Sequence, residues 1–237
     1  MKFGALLRAS AVPDCVQRIN IASTFAPQMG VTDWSSVPPL IDPLGNDAHG
    51  CCCYAAKWTW ARIKHAARYG RVASVDASSV LQDYAHTGFD PVTGANDNGT
   101  DPNDMMLTWA KDADQLIFEQ QNWPIVWATV DPRNENELAA AVSRTPLLMT
   151  IEMSEADLGD PDSWSGPPRT YSSPPAGHEV LLLRNGSMWK VSSWGRYYDW
   201  SPERMNQVYR LDAPLEASHT DFARLGLDYD AAMRGVT

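Results

Sequence analysis

The pattern of hydrophobic and polar positions predicts helices in the first half of the chain. Small, mostly apolar residues recur at three- and four-residue spacing from Ala55 to Ala67, which predicts an amphipathic helix over about 52–69. Gly70 follows directly and is the residue most often found just past a helix end. Because its apolar face is built from small side chains, we expect this helix to press closely against its neighbours at the centre of the fold.

Two further helices are predicted on either side of a long polar loop. Asp76 is a good N-cap for a helix over about 76–86, and Pro102 begins another that extends to about residue 112. The stretch between them, GFDPVTGANDNGTDPND over 88–104, is polar and rich in turn residues.

Strands dominate from Ile125 onward. Five apolar segments predict them, IVWATV, PLLMTIEM, HEVLLLR, MWKVSSWG and NQVYRLD, and one helix over 134–143 interrupts the series. A Pro/Ser/Gly-rich stretch, 159–176, is predicted as a surface loop. Helices followed by strands, rather than the two in alternation, indicate an α+β fold.

The charge of the chain excludes some functions and leaves most open. With 19 basic and 29 acidic residues the formal net charge is −10, whereas nucleic-acid binding needs a basic face. No apolar run approaches the roughly 18 residues of a membrane span. The apolar patch near Met1 is too short for a signal peptide. We therefore expect a cytoplasmic location in the producing cell, with no nucleic-acid or membrane partner.

Three consecutive cysteines, Cys51 to Cys53, offer three interpretations. A zinc site would need three neighbouring residues to reach corners of one tetrahedron, and no paired CxxC motif stands elsewhere. Cysteine also packs as a small apolar core residue, which suits Cys53 and Cys15. The third interpretation is a nucleophile at a helix N-terminus, where the unpaired N–H groups and the helix dipole favour the reactive thiolate.

A base for such a thiol is available in His178. It follows a glycine and opens the apolar strand segment EVLLLR, so the strand can hold the imidazole at its end. A surface loop histidine is the alternative.

The order of these residues resembles that of the papain-like cysteine peptidases. That family presents a side-chain amide and then a glycine before the nucleophilic cysteine, followed much later by a strand-borne histidine and a Ser-Trp-Gly sequence. Here Asn46 stands six residues before Cys52 and Gly50 two before it, and SSWG (192–195) begins fourteen residues after His178. Only Cys52 keeps the glycine and the amide in register. The GND and GFDP…GTD sequences resemble divergent phage and prophage members in particular.

Several positions depart from the family pattern. Asn46 replaces the usual glutamine, and Ser192 stands where the family has the asparagine that orients the histidine. His49 occupies a position that is a disulfide cysteine in secreted members, which is consistent with a reducing location.

The resemblance implies the chemistry of the site. Cys52 would attack a carbonyl as the thiolate, His178 would shuttle the proton, Asn46 would stabilise the oxyanion, and Ser192 would orient the imidazole. Trp194 would shield the contact between His178 and Ser192 from water.

The implied protein is a cysteine peptidase or amidase without a cofactor or metal. Its partners would be a peptide, protein or peptidoglycan-peptide substrate and, for a phage protein, other virion proteins. An alternative is a virion or assembly protein that keeps the fold with little or no activity. A Ca²⁺ loop over 96–104 is less favoured than a solvated acidic loop, because it lacks a terminal bidentate glutamate.

The resemblance also sets the expected domain organisation. Residues 1–45 form an extended lead-in, and 46–237 form a single papain-like catalytic domain. Its helical lobe spans about 46–120 and its strand-rich lobe about 125–215.

Overall fold

A computed structural model describes residues 16–18, 34, 40–111, 125–169, 176–185, 187–216 and 230. The helices, in chain order, are α1 (Cys52–Tyr69), α2 (Ala77–Tyr84), α3 (Pro102–Lys111), α4 (Glu135–Val142) and α5 (Glu155–Leu158). The strands are β1 (Val16–Arg18), β2 (Ile125–Thr129), β3 (Leu147–Met153), β4 (Ala176–Asn185), β5 (Met188–Ser193), β6 (Arg196–Trp200) and β7 (Val208–Glu216). After β1, helices α1 to α3 precede the other strands, which pair in an antiparallel manner with one another, and this confirms the predicted α+β class.

Local signals set the ends of the early helices. Gly70 adopts the left-handed conformation at φ 68° and donates its N–H to the Ala66 carbonyl, so α1 ends where the sequence predicts. The Asp76 side chain accepts from the Ser79 N–H and caps α2 as expected.

The seven strands form one sheet in the order β1-β2-β7-β3-β4-β5-β6. β1 pairs with β2 in parallel, and every other pair is antiparallel. β4 lies between β3 and β5, and residues Val180 to Leu183 are fully buried, as expected for a strand covered on both faces. α1 packs against β4, so the central helix and the central strand together form the middle of the core.

The structure differs from the sequence-based expectations at two places. β1 comes from the predicted lead-in, so part of residues 1–45 joins the sheet instead of only approaching it. Pro161–Ser165, inside the predicted loop 159–176, forms a 3₁₀ helix with Trp164 fully buried against Trp194, Tyr198 and Trp200. The domain and lobe boundaries stay predictions. Within the described residues, no helix combines the length and apolar composition that crossing a bilayer requires.

Candidate active site

The start of α1 separates the three neighbouring cysteines into different environments. Cys51 precedes the helix, and its Sγ lies 3.9 Å from the Leu44 carbonyl oxygen. Cys53 Sγ lies 3.6 Å from the Thr100 carbonyl oxygen. Cys52 Sγ instead accepts a hydrogen bond from the Glu179 N–H on β4, at 3.4 Å. All three side chains are buried, so only their partners distinguish them.

These partners give Cys52 a different acidity from its neighbours. Burial alone raises the pKa of Cys52, but hydrogen bonds from Cys53 and His178, the charge of His178, and the Glu179 N–H outweigh burial and hold its pKa well below the usual range. Burial and the Cys52 charge raise the pKa of Cys51. The hydrogen bond to Cys52, together with burial, raises the pKa of Cys53. Cys52 is therefore the thiol that the site favours as the reactive thiolate.

His178 lies at the beginning of β4, beside the N-terminus of α1. Its Nε2 lies 2.9 Å from Ser193 Oγ, and its ring stacks on Trp194 with centroids 4.5 Å apart and planes 14° apart. The other ring nitrogen, Nδ1, is also buried, and Cys52 is the titratable group on which the charge of His178 acts. With Nε2 already engaged, Nδ1 is the nitrogen that can exchange a proton with Cys52.

The contact at Nε2 differs from the predicted one, since Ser193 occupies it instead of Ser192. The register explains the difference: Leu182 of β4 faces Val191 of β5, so Val191 and Ser193 share the sheet face of His178. Ser192 faces Leu181, on the opposite face. The Ser192 side chain is buried in a small cavity that Asn46 and Trp194 also line.

Asn46 reaches the same region from the loop before α1. It is almost fully buried, and its Oδ1 has no hydrogen-bond partner in the part of the chain that the structure describes. Asn46, Glu179, Ser193 and Trp194 line the one cavity, so this side chain lies among the neighbours of Cys52 and His178. The Nδ2 group of the same amide is a donor, and a donor in this place is suited to bind an oxygen of a bound substrate.

Asp97 ties the loop before Cys52 to the polar loop 88–104. Its Oδ1 accepts hydrogen bonds from the Gly50 N–H at 2.8 Å and the Tyr84 hydroxyl at 3.1 Å. Its Oδ2 lies 3.4 Å from His49 Nδ1. A Cβ on Gly50 would lie 3.0 Å from Asp97 Oδ1 and 3.3 Å from the Gly99 nitrogen, so glycine permits this close approach. His49 therefore lies against the same carboxylate that accepts from Gly50 and Tyr84.

Sequence reasoning did not identify Ser193, Glu179 or Asp97 as site residues. Ser193 lies in the SSWG segment and Asp97 in the polar loop 88–104, both of which the sequence singles out. Their contacts follow from the strand register and from the packing of the loop, which the sequence pattern does not give. Among the described residues, no group of three or more His, Cys, Asp or Glu side chains is placed to hold a metal ion. Cys15 lies outside the described residues.

No protein-family model matches this chain, and no curated protein sequence is similar to it. Solved structures are similar. A structure of the mite allergens Blo t 1 and Der p 1 has a TM-score of 0.53 at 12% identity, covering 86% of this chain and 76% of that one. The proform of the ragweed pollen cysteine protease Amb a 11 has a TM-score of 0.51 at 14% identity, covering 83% and 69%.

The Carica candamarcensis cysteine protease CMS1MS2, in complex with E-64, has a TM-score of 0.50 at 16% identity. The match covers 80% of this chain and 100% of that one. None of these three structures is of a phage protein, so the phage origin stays a prediction. The helical first part, the antiparallel sheet and these similarities show that the chain has the fold of the papain-like cysteine proteases.

Proposed function

We propose that this chain is a cysteine peptidase or amidase that cleaves amide bonds through Cys52 and His178. The observation that carries the proposal is the placement of Cys52: its Sγ accepts from the Glu179 N–H at 3.4 Å, one residue after His178, whereas Cys51 and Cys53 lie against carbonyl oxygens of Leu44 and Thr100. In agreement with this placement, hydrogen bonds from Cys53 and His178 lower the pKa of Cys52, while the pKa values of Cys51 and Cys53 are raised. A buried core cysteine has no need of an activated thiolate.

The reaction proceeds by acyl transfer. The Cys52 thiolate attacks the substrate carbonyl, and protonated His178 then gives its proton to the leaving amine. Water, deprotonated by His178, attacks the resulting thioester and releases the acid. Asn46 and the Cys52 main-chain N–H, one of the helix-start N–H groups without an intrahelical acceptor, stabilise the oxyanion.

Ser193 and Trp194 hold the imidazole during these steps. The Ser193 hydroxyl at 2.9 Å from Nε2 sets the ring orientation and leaves Nδ1 to the sulfur. Trp194 covers one face of the ring, which keeps water away from that contact. This is the function predicted for Ser192, now assigned to its neighbour.

The substrates are peptides, proteins or the peptide part of peptidoglycan. These are the classes whose amide bonds a Cys-His pair cleaves. Parallel assays on a mixed peptide library and on purified cell wall distinguish them.

One observation favours a second candidate, a virion or assembly protein with a silent site. Cys52 and His178 each have 0% exposed surface, so a substrate reaches them only after neighbouring groups move. A protein whose pair stays covered would keep the fold and not turn over substrate.

Mass mapping of alkylation near pH 6 separates the two candidates. A mild alkylating agent is expected to modify Cys52 far faster than Cys51 or Cys53, and Cys52→Ser should abolish both this fast labelling and hydrolysis. Cys51→Ser, which changes a thiol that lies against the Leu44 carbonyl oxygen, serves as the matched control that keeps the fast labelling. Equal labelling of all three cysteines, or none at Cys52, would contradict the peptidase proposal and favour the silent site.

A further inference from the structure

Glu179 follows His178 on β4 and contacts the nucleophile through its main chain. Its N–H donates to Cys52 Sγ at 3.4 Å, while its side chain points to β3, where Oε2 accepts from the Thr150 hydroxyl at 2.5 Å. Thr150 is the residue directly opposite Glu179 in the β3–β4 register. Only 2% of Glu179 is exposed. Glu179 therefore connects the Cys52 sulfur to strand β3.

Among the described residues, no cation pairs with the carboxyl of Glu179. The titratable or charged groups that interact electrostatically with this carboxyl are Cys52 and Cys53 on α1 and Arg210 and Asp212 on β7. Arg210 is held by Asp212 through two contacts, Nε to Oδ2 at 2.5 Å and Nη2 to Oδ1 at 3.1 Å. A charged Glu179 would therefore lie uncompensated beside the Cys52 thiolate, an arrangement that burial makes costly.

We propose that Glu179 is a positioning residue that works as a neutral acid. Its main-chain N–H holds the Cys52 sulfur, and its protonated carboxyl, bonded to Thr150, keeps negative charge out of the space beside that sulfur. The inference rests on the proposed function, because it concerns the same nucleophile.

The physical reason is the like-charge repulsion that a buried carboxylate would exert on the thiolate. Burial is the largest cause that raises the pKa of Glu179, and the charges of Cys52 and Asp212 raise it further, against the Thr150 hydrogen bond and the Arg210 charge. The Thr150 bond is compatible with the neutral form, since a protonated carboxyl still accepts at its other oxygen. The neutral acid thus anchors β4 to β3 without opposing ionisation of Cys52.

The test is the pH profile of Cys52 alkylation by iodoacetamide, mapped by mass, between about pH 4 and pH 10. Wild type is compared with Glu179→Gln, which is neutral at every pH, with Glu179→Ala, and with the exposed control Glu203→Gln. Glu179→Gln is expected to keep the low-pH midpoint of wild type within about 0.3 unit. Only wild type and the control should show a second transition at higher pH, where Glu179 ionises. Glu179→Ala should react about tenfold more slowly than Glu179→Gln, because the link to Thr150 is lost.

Different results overturn different claims. If Glu179→Gln lowers the midpoint by about one unit or more, Glu179 is charged in wild type and the inference is wrong, while the proposed function stands. If Glu179→Ala and Glu179→Gln react alike, the carboxyl has no positioning role. If wild-type Cys52 reacts no faster than Cys51 and Cys53, the proposed function itself fails.

Infrared spectroscopy of wild-type protein with isotope-labelled glutamate covers the case in which the variants do not fold. A protonated carboxyl band at neutral pH is expected, and its absence would overturn the inference.

Discussion

Gly195 gives a prediction whose size can be worked out from the structure. It sits in the two-residue turn between β5 and β6 with φ +70°, and a Cβ there would lie 2.7 Å from the Ile41 carbonyl carbon and 2.9 Å from the Asp42 nitrogen. Those atoms are backbone and cannot turn aside as a side chain can. Gly195→Ala therefore carries two costs, the left-handed conformation and the overlap with residues 41–42.

Gly70 isolates the first of these costs. Its φ is +68°, and a Cβ would meet no atom of the described residues within 4 Å. Gly70→Ala should lower the free energy of unfolding by about 1–2 kcal/mol, the cost of a left-handed non-glycine residue. Gly195→Ala adds an overpacking cost of about 1–3 kcal/mol, for a total of about 2–5 kcal/mol.

Urea denaturation followed by tryptophan fluorescence measures both variants. Hydrolysis and Cys52 alkylation should also fall in Gly195→Ala, because Gly195 and Asp42 line the same cavity as Asn46. Gly70→Ala, at the far end of α1, should leave both unchanged. If Gly195→Ala is no less stable than Gly70→Ala, the close packing of the SSWG turn against residues 41–42 is not what requires this glycine.

Three further predictions concern the site. Ser193→Ala should lower the rate of hydrolysis roughly tenfold, which is part of the rate enhancement of about 10²–10⁴ that acid–base catalysis supplies. Ser192→Ala should lower the rate less. If Ser192→Ala lowers it more, Ser192 is the residue that orients His178. Asp97→Ala should cost about 1–3 kcal/mol in thermal unfolding, because buried donors lose their acceptor, and an unchanged melting temperature would contradict this. Burial raises the pKa of Glu179 above its ordinary 4.5, so the folded state holds the proton more tightly. The free energy of unfolding should therefore fall as pH rises from 4.5 through the folded pKa, and Glu179→Gln, measured by urea denaturation, should flatten that slope.

The sequence by itself determined the elements whose signals are local. The small-residue stripe and Gly70 predicted α1 with its observed bounds, and Asp76 predicted the start of α2. The resemblance to papain-like peptidases singled out Cys52 and His178 as candidates, and the similar solved structures show that fold. Such features can be predicted from the sequence because periodicity, capping and motif spacing each involve residues that are close in the chain.

Only the tertiary structure decided which side chains meet. Ser192 and Ser193 are chemically identical neighbours, and the register between β4 and β5 alone places Ser193 on the sheet face of His178. Whether Glu179 is solvated or buried depends on β3 and β7, which are distant in sequence. Strand alternation has a period of two, so a shift of one residue in register exchanges the two faces, and local sequence patterns do not specify that register.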